Sequence, residues 1–414
     1  MNDWIKNKKW AQTLIDKSVV LFGLFPVLPG PARSYLGVIL LVAALFSFQK
    51  SPSKKQWFWM GLLGTPYLLF LLALFYSGSF TEAISHLETP AALALFPLAL
   101  GLLFENRRDL FSLQNFVSLV RLYVISVGLY LLYLYSYTLF LSEDQLSPIL
   151  GIVESSGIHL PLFKDHPIYI SMELAIGVFL CIEYLRKVKT ETKTRVFFGL
   201  LLGVQLLTIF LLARKGIIIA LGLSLGVYAL FWINSGKQRL FVVLGAFGCV
   251  TLIMLAVPGI KNRFKELFQA ETYLTVDETN STNNRINIYE CSLDLIAERP
   301  VLGYGLYKDR IVLNDCYKTK YYWLYENNYN THNQYLAFAM KVGLLGLILI
   351  LCSIGYQMWK AGQLKATLWF SLLLFFALEM FTETIFERQN GVMLFAFFNT
   401  YLGYKALSES KKSS

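Results

Sequence analysis

Thr331-His332-Asn333-Gln334-Tyr335-Leu336 is the point at which a long polar segment closes and an apolar helix opens. Reading outward from it, apolar runs recur from Val19 to Leu407, most of them close to the roughly 20 residues a bilayer requires of a helix. Hydrophobic residues make up 56% of the 414, charged residues 15%, and the mean hydropathy is +0.51. Lipid offers no partners for backbone polar groups, so spanning segments must be helices or a closed barrel. Barrel strands would alternate polar and apolar residues, and these runs do not. The fold expected is therefore all-α: a polytopic integral membrane protein with about twelve transmembrane helices and a large extracytoplasmic loop. The spans fall near 18–31, 34–49, 56–77, 89–104, 118–142, 167–185, 196–213, 216–234, 239–258, 332–358, 366–386 and 391–408. Pro26, Pro29 and Pro31 leave the first two open to a re-entrant reading.

The net charge is +10, but its distribution speaks against nucleic acid. Lys and Arg cluster in short breaks between apolar runs, as membrane topology requires. If the N-terminal tail with Lys6, Lys8, Lys9 and Lys17 is cytoplasmic, every inside connection is basic, from Lys50, Lys54 and Lys55 to Lys411 and Lys412. The short outside connections hold few cations: Arg33, Lys164, Arg214, Lys215 and Arg388. This bias predicts both termini in the cytoplasm. No cleavable signal peptide is evident. The five cysteines show no metal-ligand spacing, and Cys181, Cys249 and Cys352 in apolar runs read as small buried side chains.

Residues 259–331 form a connection of about seventy residues, far above the usual 4–6 or so, and read as functional or separately folded. Asn284 is placed to cap a helix over 285–298, in which Ile288, Leu295 and Ile296 recur at helical spacing and Pro300 and Gly303 follow the end. Such a helix would lie on or near the membrane surface. Cys291 and Cys316 both fall in this loop and are a candidate disulfide if the compartment is oxidising. The chain then divides into an N-terminal transmembrane bundle (1–258), the loop with its helix (259–331), and C-terminal transmembrane helices with a short cytoplasmic tail (332–414).

His332, one of four histidines, stands at the membrane–water boundary, where a neutral imidazole can take a proton from an alcohol. Helix capping or an interfacial position is the structural alternative. Arg214 and Lys215 occupy a tight outer turn, and snorkelling accounts for either one better than for the pair. Arg285, at the start of the loop helix, opposes the helix dipole, so a role in local stability is disfavoured. Guanidinium forks suit a diphosphate better than ammonium does. Asn333 and Gln334 can orient His332 or bind sugar hydroxyls. His166, before Pro167 and near Tyr169, is a weaker candidate at another outer boundary, and His86 and His159 read as ordinary loop residues. Glu379, Glu383, Glu387 and Arg388 follow helical steps and read as one wall of a polar cavity.

With these residues in place the chain resembles the O-antigen ligase / O-antigen polymerase superfamily of bacterial envelope glycosyltransferases. The likeness rests on Ala213-Arg214-Lys215-Gly216 at an outer turn, and on Arg285 before Glu298-Arg299-Pro300-Val301-Leu302-Gly303-Tyr304-Gly305. It rests further on His332-Asn333-Gln334-Tyr335-Leu336 followed by Gly343-Leu344-Leu345-Gly346, and on the Glu383–Gly391 stretch. The resemblance implies a metal-independent, inverting glycosyltransferase of the bacterial inner membrane, with its active site facing the periplasm. The donor would be a glycan on undecaprenyl diphosphate. The acceptor would be lipid A–core oligosaccharide in a ligase, or another lipid-linked repeat in a polymerase. Arg214 and Arg285, with Lys215 secondary, would bind the diphosphate, and His332 would deprotonate the acceptor. No cofactor is implied, and the partners are membrane lipids and glycans. A lipid-linked oligosaccharide flippase or other transporter is the competing class. It would call for charges along a path through the membrane and for paired repeats. Here the notable charges gather at one face.

Overall fold

A computed structural model describes residues 9–140, 163, 165–232, 236–237, 269, 278 and 280–410. Every regular element among the described residues is helical. Six helices are long and apolar enough to cross a membrane: Gly30–Ser47, Thr89–Asn106, Leu113–Tyr137, Pro167–Lys187, Thr192–Leu212 and Gln334–Gln363. A seventh span arises if Lys54–Leu63 and Thr65–Tyr76, which meet at 70°, are taken together.

The expected count of about twelve is not met among the described residues, for reasons specific to each element. Val20–Val27 is a 3-10 segment of 8 residues interrupted by Pro26. At about 2 Å per residue it reaches only about half of a hydrocarbon core. Lys215–Phe231 and Thr367–Glu379 are shorter apolar helices. The latter has 13 residues and ends at Glu379, well short of the 366–386 span expected. The expected 239–258 span lies outside the described residues.

Gln389–Ser410 is long enough but not apolar enough to count as an ordinary span, since Asn399, Thr400, Tyr401, Tyr404 and Lys405 interrupt it; it is the hub of the bundle, and every residue from Gly391 to Leu407 is buried. Phe397 stacks on Phe22 with ring centroids 3.6 Å apart, which seats the Val20–Val27 segment in the core. Its Asn399 is paired inside the protein. Asn399 Oδ1 accepts from Trp369 Nε1 at 2.8 Å, and its Nδ2 donates to Gln357 Oε1 at 2.8 Å. Unpaired amides in this medium would be costly. Arg33, counted from sequence among the outer-loop cations, is wholly buried. Its Nη atoms meet Asp165 at 3.0 and 2.8 Å and Glu173 at 3.1 Å, and Asn390 Nδ2 donates to Asp165 at 2.6 Å. Cys181 is buried as expected, but Cys352 is exposed on the helix surface, and Cys249 lies outside the described residues.

The polar loop docks on a break in the Gln334–Gln363 helix. Gly343 there takes φ 69°, ψ 179°, which releases backbone groups that the loop then pairs. Leu344 N donates to Pro300 O at 2.7 Å, Tyr304 N to Met340 O at 2.7 Å, and Gly305 N to Lys341 O at 3.0 Å. Two sequence motifs about forty residues apart, 298–305 and 343–346, are thus two halves of one joint. Beyond it, Ile288, Cys291, Leu295, Leu313 and Tyr317 form a small core of their own with Met340. Cys291 and Cys316 are disulfide-bonded, with Cα atoms 6.0 Å apart, and the bond joins Ser281–Glu298 to Lys308–Lys320.

The loop helix begins earlier than expected. It spans Ser281–Glu298, and its cap is Asn280, whose Oδ1 accepts from Thr282 N at 2.9 Å and Asn283 N at 3.2 Å. Asn284 lies inside the helix and accepts from Trp323 Nε1 at 3.0 Å.

Gly343→Ala is expected to lower stability by about 2–3 kcal/mol, because alanine is strained at this φ and its Cβ would meet the Val301 carbonyl. Thermal unfolding in detergent reads this directly. A melting temperature within about one degree of the unsubstituted protein would count against the joint.

Candidate functional site

The site is assembled from four segments. The first is the turn after Thr192–Leu212, where Ala213 takes the left-handed conformation (φ 50°) as the C-cap. The chain reverses within two residues, and Lys215 opens the next helix. Arg214 and Lys215 are half-buried. Lys215 Nζ donates to Thr282 Oγ1 at 3.3 Å, which ties the turn to the loop helix. A Cβ on Gly216 would collide with Thr382 Oγ1 and lie 3.2 Å from Glu379 Oε2. Glycine is therefore what allows this turn to abut the segment after Glu379.

The second segment is Ser281–Glu298. Thr282, Arg285 and Tyr289 are spaced by three and four and share one face. Tyr289 Oη donates to Phe381 O at 2.8 Å and His332 O at 3.3 Å, so this face looks onto the other two segments. Arg285 is half-buried, and its Nε is enclosed with no hydrogen-bond partner among the described residues. Arg285 is the fifth residue of the helix rather than its first. That weakens the dipole argument made from the sequence but leaves the guanidinium in place.

His332 belongs to the third segment, a turn built by flanking asparagines. Asn330 Oδ1 accepts from His332 N at 3.0 Å, and Asn333 Oδ1 caps the following helix through Tyr335 N at 2.9 Å and Leu336 N at 3.1 Å. His332 itself has φ 41°, an uncommon conformation that these bonds hold. Its Nδ1 lies 3.4 Å from Glu383 Oε2, and the side chains are 25% and 6% exposed.

Glu383 comes from the fourth segment, the turn between Thr367–Glu379 and Gln389–Ser410. This turn is clamped to the third segment. Gln334 N donates to Met380 O at 2.8 Å, Phe386 N to Gln334 Oε1 at 2.8 Å, and Asn330 Nδ2 to Thr384 Oγ1 at 2.7 Å. Gln334 and Asn333 therefore act on the backbone. Burial alone would raise the Glu383 carboxyl, but its hydrogen bond to His332 and the charges of His332, Arg285 and His166 hold it below the ordinary range. His166 caps Pro167–Lys187, its Nδ1 accepting from Ile168 N at 3.4 Å, within reach of the charges on Arg214, Glu383, Arg388 and His332. Tyr169, buried one turn on, packs against Gly391.

The three carboxylates read as one helical face do not share one, because the helix stops at Glu379. Glu383 turns to His332, whereas Glu387 takes Lys341 Nζ at 2.5 Å. Lys341 also lies 3.6 Å from Asp309 in the loop. Beside this triad is a cavity of about 290 Å³ lined by Gln334, Glu387, Arg388, Asn330, Arg310 and His86 among others. His332, Arg214 and Arg285 are not on its wall; of the residues read as one wall of a polar cavity, Glu387 and Arg388 line it and Glu379 and Glu383 do not. His86, read as an ordinary loop residue, lines that cavity, and His159 lies outside the described residues.

Two features escaped sequence reasoning. One is Glu383 as the partner of His332, which depends on a helix ending one turn early. The other is the Gly216 approach to Thr382, for which the adjacent Arg-Lys-Gly triplet is the only local signal. Among the described residues, no group of three or more His, Cys, Asp and Glu is placed to hold a metal ion.

Residues 198–351 match the family model described as O-antigen ligase, and this supports the O-antigen ligase superfamily resemblance. The matched stretch contains Arg214, Arg285 and His332 but ends before Glu383. A search of curated proteins found no match.

Glu383 has a depressed pKa in the folded state, so its charge contributes stability above the unfolded carboxylate value of about 4.3. That contribution is lost as the pH falls through the lower folded value. The melting-temperature gap between the unsubstituted protein and Glu383→Gln is expected to be constant near neutrality and to shrink below about pH 5. A gap that widens in acid would contradict the assigned direction.

Proposed function

We propose, from the O-antigen ligase match over residues 198–351, that this membrane protein is an O-antigen ligase-like inverting glycosyltransferase. It moves a glycan from undecaprenyl diphosphate to an acceptor hydroxyl, that of lipid A–core oligosaccharide. The observation that carries the reading is the His332–Glu383 pair at 3.4 Å, with Arg285 on the facing helix and the Arg214 turn packed against the same segment.

The chemistry follows from these groups. With Nδ1 turned to Glu383, Nε2 is the nitrogen left to receive a proton. Glu383 orients the imidazole and stabilises the imidazolium that forms. The acceptor O–H gives its proton to Nε2 as its oxygen bonds to the anomeric carbon. The bond from that carbon to the diphosphate oxygen breaks, and its electron pair leaves with undecaprenyl diphosphate. Attack from the face opposite the leaving group inverts the anomeric centre. Negative charge develops on the departing oxygen, where fixed guanidinium groups at Arg214 and Arg285 stabilise it. The donor is already activated, so the scheme needs neither nucleotide nor metal. On the charge bias of the connections, the site faces the periplasm of the bacterial inner membrane.

The test is transfer by the purified protein from a lipid-linked glycan to separate acceptors. Product on lipid A–core supports a ligase, whereas lengthening of the lipid-linked chain identifies a polymerase. His332→Ala is expected to cost roughly 10²–10⁴ in rate while donor binding persists. Arg285→Ala should cost about 10²-fold or more, and Arg285→Lys should recover little because it lacks the planar fork. Near-normal turnover by a folded His332→Ala protein would remove the base assignment. A strict requirement for a divalent ion after chelation would remove the metal-free scheme.

A further inference from the structure

Outside the site, a cavity of about 330 Å³ lies at the other end of the bundle. Three helices fix its place. Gln334–Gln363, kinked at Gly343, starts beside His332 and delivers Gln363 to the cavity. Thr367–Glu379 starts at the cavity and ends beside the Glu383 turn, and Pro167–Lys187 runs from His166 to Lys187 on the cavity wall. This end carries the basic connections and is cytoplasmic on the charge reading.

The lining is cationic in excess. Arg186, Lys187, Lys365 and Lys405 face two carboxylates, Glu183 and Glu409, a surplus of two positive charges. Glu183 is shared, meeting Arg186 at 2.8 Å and Lys187 at 2.8 Å. Lys405 is nine-tenths buried, and its partner Glu409 is half exposed. Thr367–Glu379 opens onto the same space. Its N-cap Ala366 offers no side-chain hydrogen bond, and its first turn has no acidic residue, so the dipole adds to the positive field. The rest of the wall is mixed: Phe116, Leu364, Leu368, Trp369 and Leu402 are apolar, and Gln363, Thr367 and Ser410 add polar groups. Cations set beside large apolar side chains such as Phe116 and Trp369 fit an amphiphile with a phosphate head better than a free anion.

We propose that this cavity binds the phosphodiester headgroup of an anionic phospholipid, with Lys187, Lys365 and Lys405 as the cationic contacts. The site is separate from the transfer chemistry and does not depend on it.

The test uses the full chain in detergent, with lipid retention read by native mass spectrometry against phosphatidylglycerol and phosphatidylcholine. The unsubstituted protein is expected to retain phosphatidylglycerol preferentially. The double variant Lys187→Gln/Lys365→Gln should lose retention by roughly 25-fold, about fivefold for each cation removed. If the double variant does not fold, Lys365→Gln alone, at an exposed turn residue, should show the single fivefold step. Equal retention of the two lipids, or retention unchanged in a folded variant, overturns the proposal. Displacement of phosphatidylglycerol by inorganic phosphate at low millimolar concentration also overturns it, in favour of a free-anion site.

Discussion

A helix in an apolar surround cannot leave backbone groups unpaired, and the break at Gly343 is where this protein meets that constraint. The freed carbonyls of Met340 and Lys341 and the amide of Leu344 are paired by residues 300–305. The loop is therefore part of the hydrogen bonding of a membrane helix and not an appendage to it. Everything the loop carries inherits that placement. Ser281–Glu298 ends just before the joint and is tied through Tyr289 to the His332 turn. Arg285 is thus positioned from two directions, by the joint at one end of its helix and by the His332 turn at its middle.

Charge inside the bundle is arranged in closed sets. Arg33 with Asp165 and Glu173, and Lys341 with Asp309 and Glu387, each pair opposite charges on different segments. Removing one member of such a set leaves a buried charge uncompensated, which is strongly destabilising. These sets hold the ends of helices together on either side of the His332 turn. The His332–Glu383 pair differs in kind. One partner is enclosed while the other is a quarter exposed, and an imidazole can change charge where a guanidinium cannot. The fixed sets act as a frame around this pair.

The sequence made the class of fold legible because apolar run length answers to bilayer thickness alone. It also marked Arg214, Arg285 and His332, each a charge or base where a membrane protein has few. What it obscured depends on where helices stop. A step of four from Glu379 to Glu383 to Glu387 is helical spacing, yet the helix ends after the first of these residues. The turn that follows is held by Gln334 and Asn330, some fifty residues earlier, and no local pattern announces that clamp. The span count failed for a related reason. Gln389–Ser410 mixes apolar residues with buried Asn399, Thr400 and Lys405, and Val20–Val27 is apolar because it fills a gap beside Phe397. Hydropathy does not separate burial in protein from burial in lipid.

The hub of the bundle is the last of the described helices, enclosed from Gly391 to Leu407 by segments made before it. During synthesis the earlier helices must wait with an unfilled centre, since Phe22, Phe96 and Trp369 have their packing partners on Gln389–Ser410. Ribosomes add about 5–20 residues per second, so the interval between the His332 turn and the end of this helix lasts seconds. A nascent chain in that interval lacks the helix on which Phe22, Phe96 and Trp369 pack. Full packing of those helices is thereby deferred until Gln389–Ser410 has been made.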